Sequence, residues 1–332
     1  MSQEAKKAEQ IKIEEIRRVL RDELEQRRCS PAPGDYANDR HGKEAVLYGV
    51  TGAANLYAEL GFDMGDWTSR RVWAERINAF QSADGMFISP SGPQHAVATA
   101  VEALNLLGGR PARPVKGLAP IRTAALPAWL ESLKWSGTHK DFWGGTVIIL
   151  ASGLHDELWV GKMRELVEGR YATELSQSLW CRDDHPPAGV ISRIYHVLSA
   201  YDAAYLSYPW PEKIWERIMG LNYSRRRNDT PRTICTDFDY IHLLYRLAHQ
   251  LPDRFGECLA ECRAVFNHRR VEWEENREKI MAESSTHDLF CYVIGWVLLQ
   301  KILPDCFEGR GLYDTLNVPW VFRLRAEDVN VS

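Results

Sequence analysis

Along this chain, helices with no polar face return about every fifty residues, and each is followed or preceded by a charged amphipathic one. The apolar segments cover residues 42–60, 95–107, 144–154, 189–204, 237–247 and 287–299. Between them lie amphipathic stretches at about 4–28, 66–81, 120–135, 157–180, 210–221 and 253–280. A helix that is apolar all round must be buried all round, whereas one with a single apolar stripe shows its other side to water. A period near fifty with two helices per unit marks a helical repeat. Six inner and six outer helices predict an all-α fold, an (α/α)6 toroid of two concentric layers forming one domain over residues 1–332. The irregular tail begins near 304. An open solenoid is the rival arrangement; six units with a buried inner set fit closure better. No run of strict polar–apolar alternation argues for a sheet.

Composition narrows the function classes. The net charge of −4 and pI of about 6.2 leave no basic field for nucleic acid. No stretch of 18 apolar residues suggests a membrane span, and the start Met-Ser-Gln-Glu-Ala-Lys-Lys has no apolar signal core. Seven cysteines, an odd number without framework spacing, suggest reduced thiols and a cytoplasmic protein. Twelve tryptophans imply much buried ring area, or a cavity lined with rings that takes a small molecule.

The chemistry-bearing residues gather where inner helices begin. Asp237-Phe238-Asp239-Tyr240 opens the fifth inner helix beside Cys235. Thr236 with Asp239 also fits a capping pattern, as does Ser285-Thr286-His287-Asp288 at the sixth, so both readings stand. His95 opens the second inner helix and suits an acid, base or ligand role, or a bond to backbone. Trp143-Gly144-Gly145 precedes the third, where glycines expose N–H groups. Arg193, early in the fourth, needs an acid or an anionic substrate as partner. Asp202, between Tyr201 and Tyr205, and Glu102 are carboxylates in apolar helices that must pair or face a wet cavity. Cys258 and Cys262 stand four apart, with no second ligand pair nearby. Arg225-Arg226-Arg227 reads as a solvated loop or a phosphate contact.

Trp73…Ile77…Gln81-Ser82-Ala83-Asp84-Gly85-Met86-Phe87 resembles the Gln…Asp-Gly-aromatic turn of the terpenoid cyclase and protein prenyltransferase α/α-toroid superfamily, and the repeat layout resembles theirs over most of the chain. In class II terpene cyclases an Asp-x-Asp-Asp motif opens an inner helix and its middle aspartate protonates the substrate. Asp237-Phe238-Asp239-Tyr240 looks like that motif, with Asp239 as the acid and Tyr240 where a carboxylate stands in the family. No Asp-Asp-x-x-Asp magnesium motif is present. Protein prenyltransferases hold zinc with an aspartate, a cysteine and a histidine, a set that Cys235, Asp237 and His287 imitate in a different order. The resemblance implies acid-initiated cyclisation or isomerisation of an apolar, prenyl-derived small molecule. Asp239, Asp237 and His95 would do the chemistry. Trp143, Arg193, Tyr201, Asp202, Tyr240 and His287 would hold the substrate, without an obligatory cofactor. Two other readings remain open: a carbohydrate-active (α/α)6 hydrolase or lyase, and a non-catalytic toroid that only binds.

Overall fold

In the computed structural model, residues 10–89, 93–133, 140–175, 186–226, 234–315 and 319–329 are described. The fold is all-α. The apolar segments form α2 (Leu47–Leu60), α4 (Pro93–Leu106), α6 (Lys140–Ser152), α8 (Pro187–Ala203), α11 (Ile234–Gln250) and α13 (Thr286–Ile302). The amphipathic ones form α1 (Ile13–Gln26), α3 (Trp67–Asn78), α5 (Leu126–Ser132), α7 (Trp159–Leu175), α9 (Pro211–Gly220) and α12 (Phe255–Glu283), with the short α10 (Tyr223–Arg226) between α9 and α11.

Burial follows the sequence pattern. α1 buries Ile13, Ile16, Arg17, Leu20, Glu23 and Leu24, one stripe at three- and four-residue spacing. α2 buries residues on every side, from Leu47, Tyr48, Gly49 and Val50 to Glu59 and Leu60. It stops at Gly61, whose φ of 68° is the left-handed conformation that closes a helix without a side-chain clash. The apolar helices are neighbours in sequence order: α2 packs on α4, α4 on α6, α6 on α8, α8 on α11 and α11 on α13. α13 returns to α2, so the cycle of neighbours is closed.

Several boundaries differ from the sequence expectation. The helix expected at 42 begins at Leu47, after an extended Val46. The N-terminal helix expected over 4–28 runs only Ile13–Gln26. Residues Ile11–Lys12 (β1) instead pair in parallel with Phe307–Glu308 (β2). Two-residue strands carry no readable periodicity. α11 is helical from Ile234, earlier than the expected 237. That shift places Asp239 within the helix, so the expected capping pattern of Thr236 with Asp239 does not form. The capping box expected at the next helix is present: Ser285 Oγ accepts from the Asp288 N–H, and Asp288 accepts from the Ser285 N–H.

The Gln81–Phe87 turn is a clamp. The Gln81 side-chain amide donates to the carbonyls of Gly85 and Arg113, and its oxygen accepts from the Arg113 N–H. Gly85 has φ of 90°, and a Cβ there would lie 2.0 Å from the Pro114 carbonyl oxygen. The C-terminal segment is irregular and anchored. Asn105 donates to the carbonyls of Val321 and Arg323, Arg110 pairs with Asp328, and Phe322 is buried.

Arg27 ties the first and last helices together. It is fully buried and donates to Glu23, to the carbonyls of Asn38 and Met281, and to Thr286 Oγ1. A guanidinium has five N–H donors, and burial requires that they be satisfied. This knot holds the loop at 37–38 against the first turn of α13, where the Thr286 N–H bonds the Asn38 carbonyl.

Candidate functional site

The first turns of all six apolar helices surround one chamber of about 540 Å³. α2 contributes Tyr48; α4 His95, Thr99 and Glu102; α6 Lys140 and Trp143; and α8 Ser192, Tyr195 and His196. α11 contributes Cys235, Phe238 and Asp239, and α13 His287, Phe290 and Cys291. Asp288 lies at the rim, held by its capping bonds. A second cavity of about 290 Å³ lies among the last turns of α6, α8, α11 and α13 and is lined by Asp202, His242, Arg246 and Lys301, among others. Trp143, Tyr195 and Phe238 line both spaces, so rings divide them. Tyr195 and Phe238 meet edge to face with centroids 5.1 Å apart.

Asp239 is buried in the chamber wall. The Ser192 hydroxyl bonds its carboxyl, and Oδ2 has no hydrogen-bond partner among the described residues. Burial holds its pKa well above the carboxylate range, with a further push from Cys235; Ser192 and Lys140 act in the opposite direction. Glu102 is likewise pushed up, to about 8, by burial against a bond from Asn55. Burial therefore favours the protonated form of both acids at this chamber.

Burial disfavours the charged form of two chamber imidazoles. Burial lowers His196 to about 4 and His95 well below its ordinary value. His196 Nδ1 lies 2.6 Å from the Ser192 carbonyl. A carbonyl only accepts, so Nδ1 carries the proton and Nε2 is left as a base. His95 Nδ1 bonds the Tyr48 hydroxyl, and the Tyr48 ring stacks on His287 at 5.2 Å. His95 also packs on Trp143 and on His287, with centroids at 5.3 Å in each case.

Cys235, His287 and Cys291 bring their sulfur and nitrogen atoms within 4.8 Å of one another. Cys291 Sγ lies 3.9 Å from His287 Nε2, and Cys235 Sγ lies 3.8 Å from Asp288 Oδ1. The neighbouring Cys291 thiol pushes Cys235 down, and Cys235 together with burial pushes Cys291 up.

Of the residues expected from sequence, Asp239, His95, Trp143, His287 and Cys235 line the chamber. The others stand elsewhere. Asp237 faces the outer helix α12. It pairs with buried Arg269 at 3.2 Å and accepts from the Tyr223 hydroxyl at 2.8 Å, so Cys235, Asp237 and His287 do not converge as a ligand set. The cause is helical rotation: two positions turn a side chain by about 200°, to the opposite face. Tyr240 donates to Glu261 and Tyr201 to Glu168, both on outer helices. Asp202 belongs to the second cavity, where it pairs with Arg246, His242 and the Tyr208 hydroxyl. Those partners outweigh the upward push of burial and hold it ionised. Arg193 is not among the residues lining either space. Arg227 lies outside the described residues. Tyr48, Lys140, Ser192, Tyr195, His196 and Cys291 were not singled out by sequence reasoning. Only Cys291 had a local signal, its four-residue spacing from His287 on an apolar helix.

No protein-family profile matches the chain, and no curated protein or solved structure shows significant similarity to it. Among the described residues, no helix is long and apolar enough to cross a membrane.

Proposed function

We propose that this chain is an (α/α)6 toroid enzyme that isomerises or cyclises an apolar small molecule by protonation, with Asp239 as the acid. The closed cycle of six apolar helices supports the architecture. The observation that carries the chemistry is Asp239 itself: buried at the chamber wall, with one carboxyl oxygen lacking a partner. A carboxylic acid kept neutral at pH 7 has a proton to give.

In the proposed step the Asp239 O–H bond breaks and its proton adds to one carbon of a substrate double bond. The π pair forms the new C–H bond and the neighbouring carbon becomes cationic. The rings of Tyr48, Trp143, Tyr195, Phe238 and Phe290 present negative faces to such a cation. Attack by a second double bond or a hydride shift moves the charge to another carbon, and loss of a proton from the adjacent carbon to His196 Nε2 quenches it as a new double bond. The proton returns from His196 Nε2 to Asp239 through water between turnovers, so both groups end as they began. The product is an isomer of the substrate, and no other reactant is consumed.

The rival readings fit less well. A sugar hydrolase needs an ionised carboxylate opposite its acid, whereas burial favours the neutral form of both Asp239 and Glu102. A binding scaffold expects every mouth acid to be consumed in caps and ion pairs, which describes Asp237, Asp288 and Asp202 but not Asp239.

The test is deuterium incorporation from heavy water into a panel of neutral isoprenoid alkenes, read by mass spectrometry. Asp239→Asn is expected to lower incorporation by at least about a hundredfold while the circular dichroism spectrum is kept. Incorporation within a factor of about three of the parent, below any general-acid contribution, would remove the proposal.

A further inference from the structure

We infer that Cys235, His287 and Cys291 form a zinc site whose fourth position opens into the chamber. The inference is independent of the proton-transfer reading and rests on the convergence of the three side chains. Cys235 comes from the first turn of α11, and His287 and Cys291 from the first two turns of α13. His287 and Cys291 are four apart, so they share a helix face. Their ligand atoms, with that of Cys235, lie within 4.8 Å of one another.

The distances suit a metal. Zinc–sulfur bonds of about 2.3 Å and zinc–nitrogen bonds of about 2.0 Å place tetrahedral ligand atoms roughly 3.5–3.8 Å apart. Cys291 Sγ and His287 Nε2 are 3.9 Å apart already. The support is rigid on both sides. The Tyr48 ring stacks on the His287 ring, and α13 is fixed at its start by the Ser285–Asp288 box and by Thr286, whose hydroxyl bonds Arg27 and the Ala37 carbonyl.

Two thiolates and one neutral imidazole balance the charge of a zinc ion, so binding leaves no net charge at a site where Cys291 is buried and Cys235 and His287 are half-buried. Three protein ligands and one open position is the arrangement of catalytic rather than structural zinc. All three residues line the chamber, so the fourth ligand comes from there, as water or as an oxygen or sulfur atom of the small molecule. Asp239 stands four residues after Cys235 on the same helix face, so a bound group and the acid share one space. The other close thiol pair differs. Cys258 and Cys262 are packed in the core, with Cys258 bonded to the Leu244 carbonyl, and no histidine or acid joins them in a ligand cluster among the described residues.

Metal content of the full chain, purified under reducing conditions, tests this, followed by chelation and titration with cobalt(II). The expected result is about one zinc per chain, and thiolate-to-cobalt charge-transfer absorption on titration. Cys291→Ser and His287→Gln should each weaken cobalt binding by at least about a hundredfold, since loss of an outer-shell partner alone costs up to that much. Cys258→Ser and Asp239→Asn should leave it unchanged. If Cys291→Ser fails to fold, the parent's charge-transfer band and its loss in His287→Gln decide. A chain that takes up no cobalt with thiolate absorption overturns the inference. So does a Cys235–Cys291 disulfide found in mass spectra of the reduced preparation, or binding that survives both ligand substitutions.

Discussion

Replacing Asp237 and Asp239 by asparagine, one at a time, should give opposite results, although the two residues are separated only by Phe238. The Asp237 side chain is 2% exposed and its partner Arg269 is 0% exposed, with 3.2 Å between charged atoms. Arg269 also donates to the Tyr292 carbonyl and lies 4.1 Å from the Tyr292 ring centroid and 4.7 Å from that of Trp296. Those contacts hold the guanidinium in place when the carboxylate is gone. Asp237→Asn therefore breaks a buried ion pair by removing one partner, which costs about 3–5 kcal/mol. Burial favours the uncharged form of Asp239, so Asp239→Asn puts a neutral group of the same shape where the wall already disfavours charge. Its expected cost is under about 1 kcal/mol, the scale of a single neutral hydrogen bond. Urea unfolding at pH 7 measures both. With a slope of about 3 kcal/mol per molar, Asp237→Asn lowers the midpoint by roughly 1–1.7 M while Asp239→Asn moves it by less than about 0.3 M. Adding Arg269→Met to Asp237→Asn should recover much of the loss, because the buried cation then goes as well. Equal midpoint shifts for the two asparagine variants would refute the assignment of one aspartate to the framework and the other to the chamber.

Two further expectations follow from buried groups. Glu102 is held at about 8, above its ordinary 4.5, so the folded chain keeps a proton that the unfolded chain releases. This stabilisation is complete below about pH 4.5 and is lost as pH rises to 8, by on the order of a few kcal/mol. Glu102→Gln should flatten the decline in urea midpoint between pH 5 and 8, and an unchanged decline would contradict the burial of that acid. Gly85→Ala should destabilise by more than about 1 kcal/mol, because Ala is strained at φ of 90° and its Cβ meets the Pro114 carbonyl. A thermal scan of the variant with an unshifted midpoint would rule out the clamp as drawn.

The helical layers were legible because burial on all sides writes itself into composition. A segment such as Gly144 to Leu154 carries no charged residue, and it is buried on every face from Gly144 to Ala151. The site was legible at half resolution. Helix starts announced His95, Trp143, Cys235 and His287, but helical phase decided which neighbours reach the chamber. Starting α11 at 237 places both aspartates at a free end; starting it at 234 rotates Asp237 toward Arg269. Tyr201 and Tyr240 looked like lumen rings, yet their hydroxyls find Glu168 and Glu261 on the outer layer. Cys291 read as one more apolar residue in an apolar helix. Its meaning depends on Cys235, which is 56 positions away in sequence and adjacent only once α11 and α13 pack.

The return of α13 to α2 bears on how the molecule comes apart. A linear stack of helical repeats has two terminal units, each with a single neighbour, and it unravels inward from them. Here every inner helix has two neighbours, so none is the natural first to fray. Amide exchange in the six inner helices should then run at one common, slow rate, without a gradient from the chain ends toward the middle. The weakest point becomes the contact made last, between helices more than two hundred residues apart in sequence. The Arg27 knot, drawing on Glu23, Asn38, Met281 and Thr286, acts there as a latch between the first helix and the last.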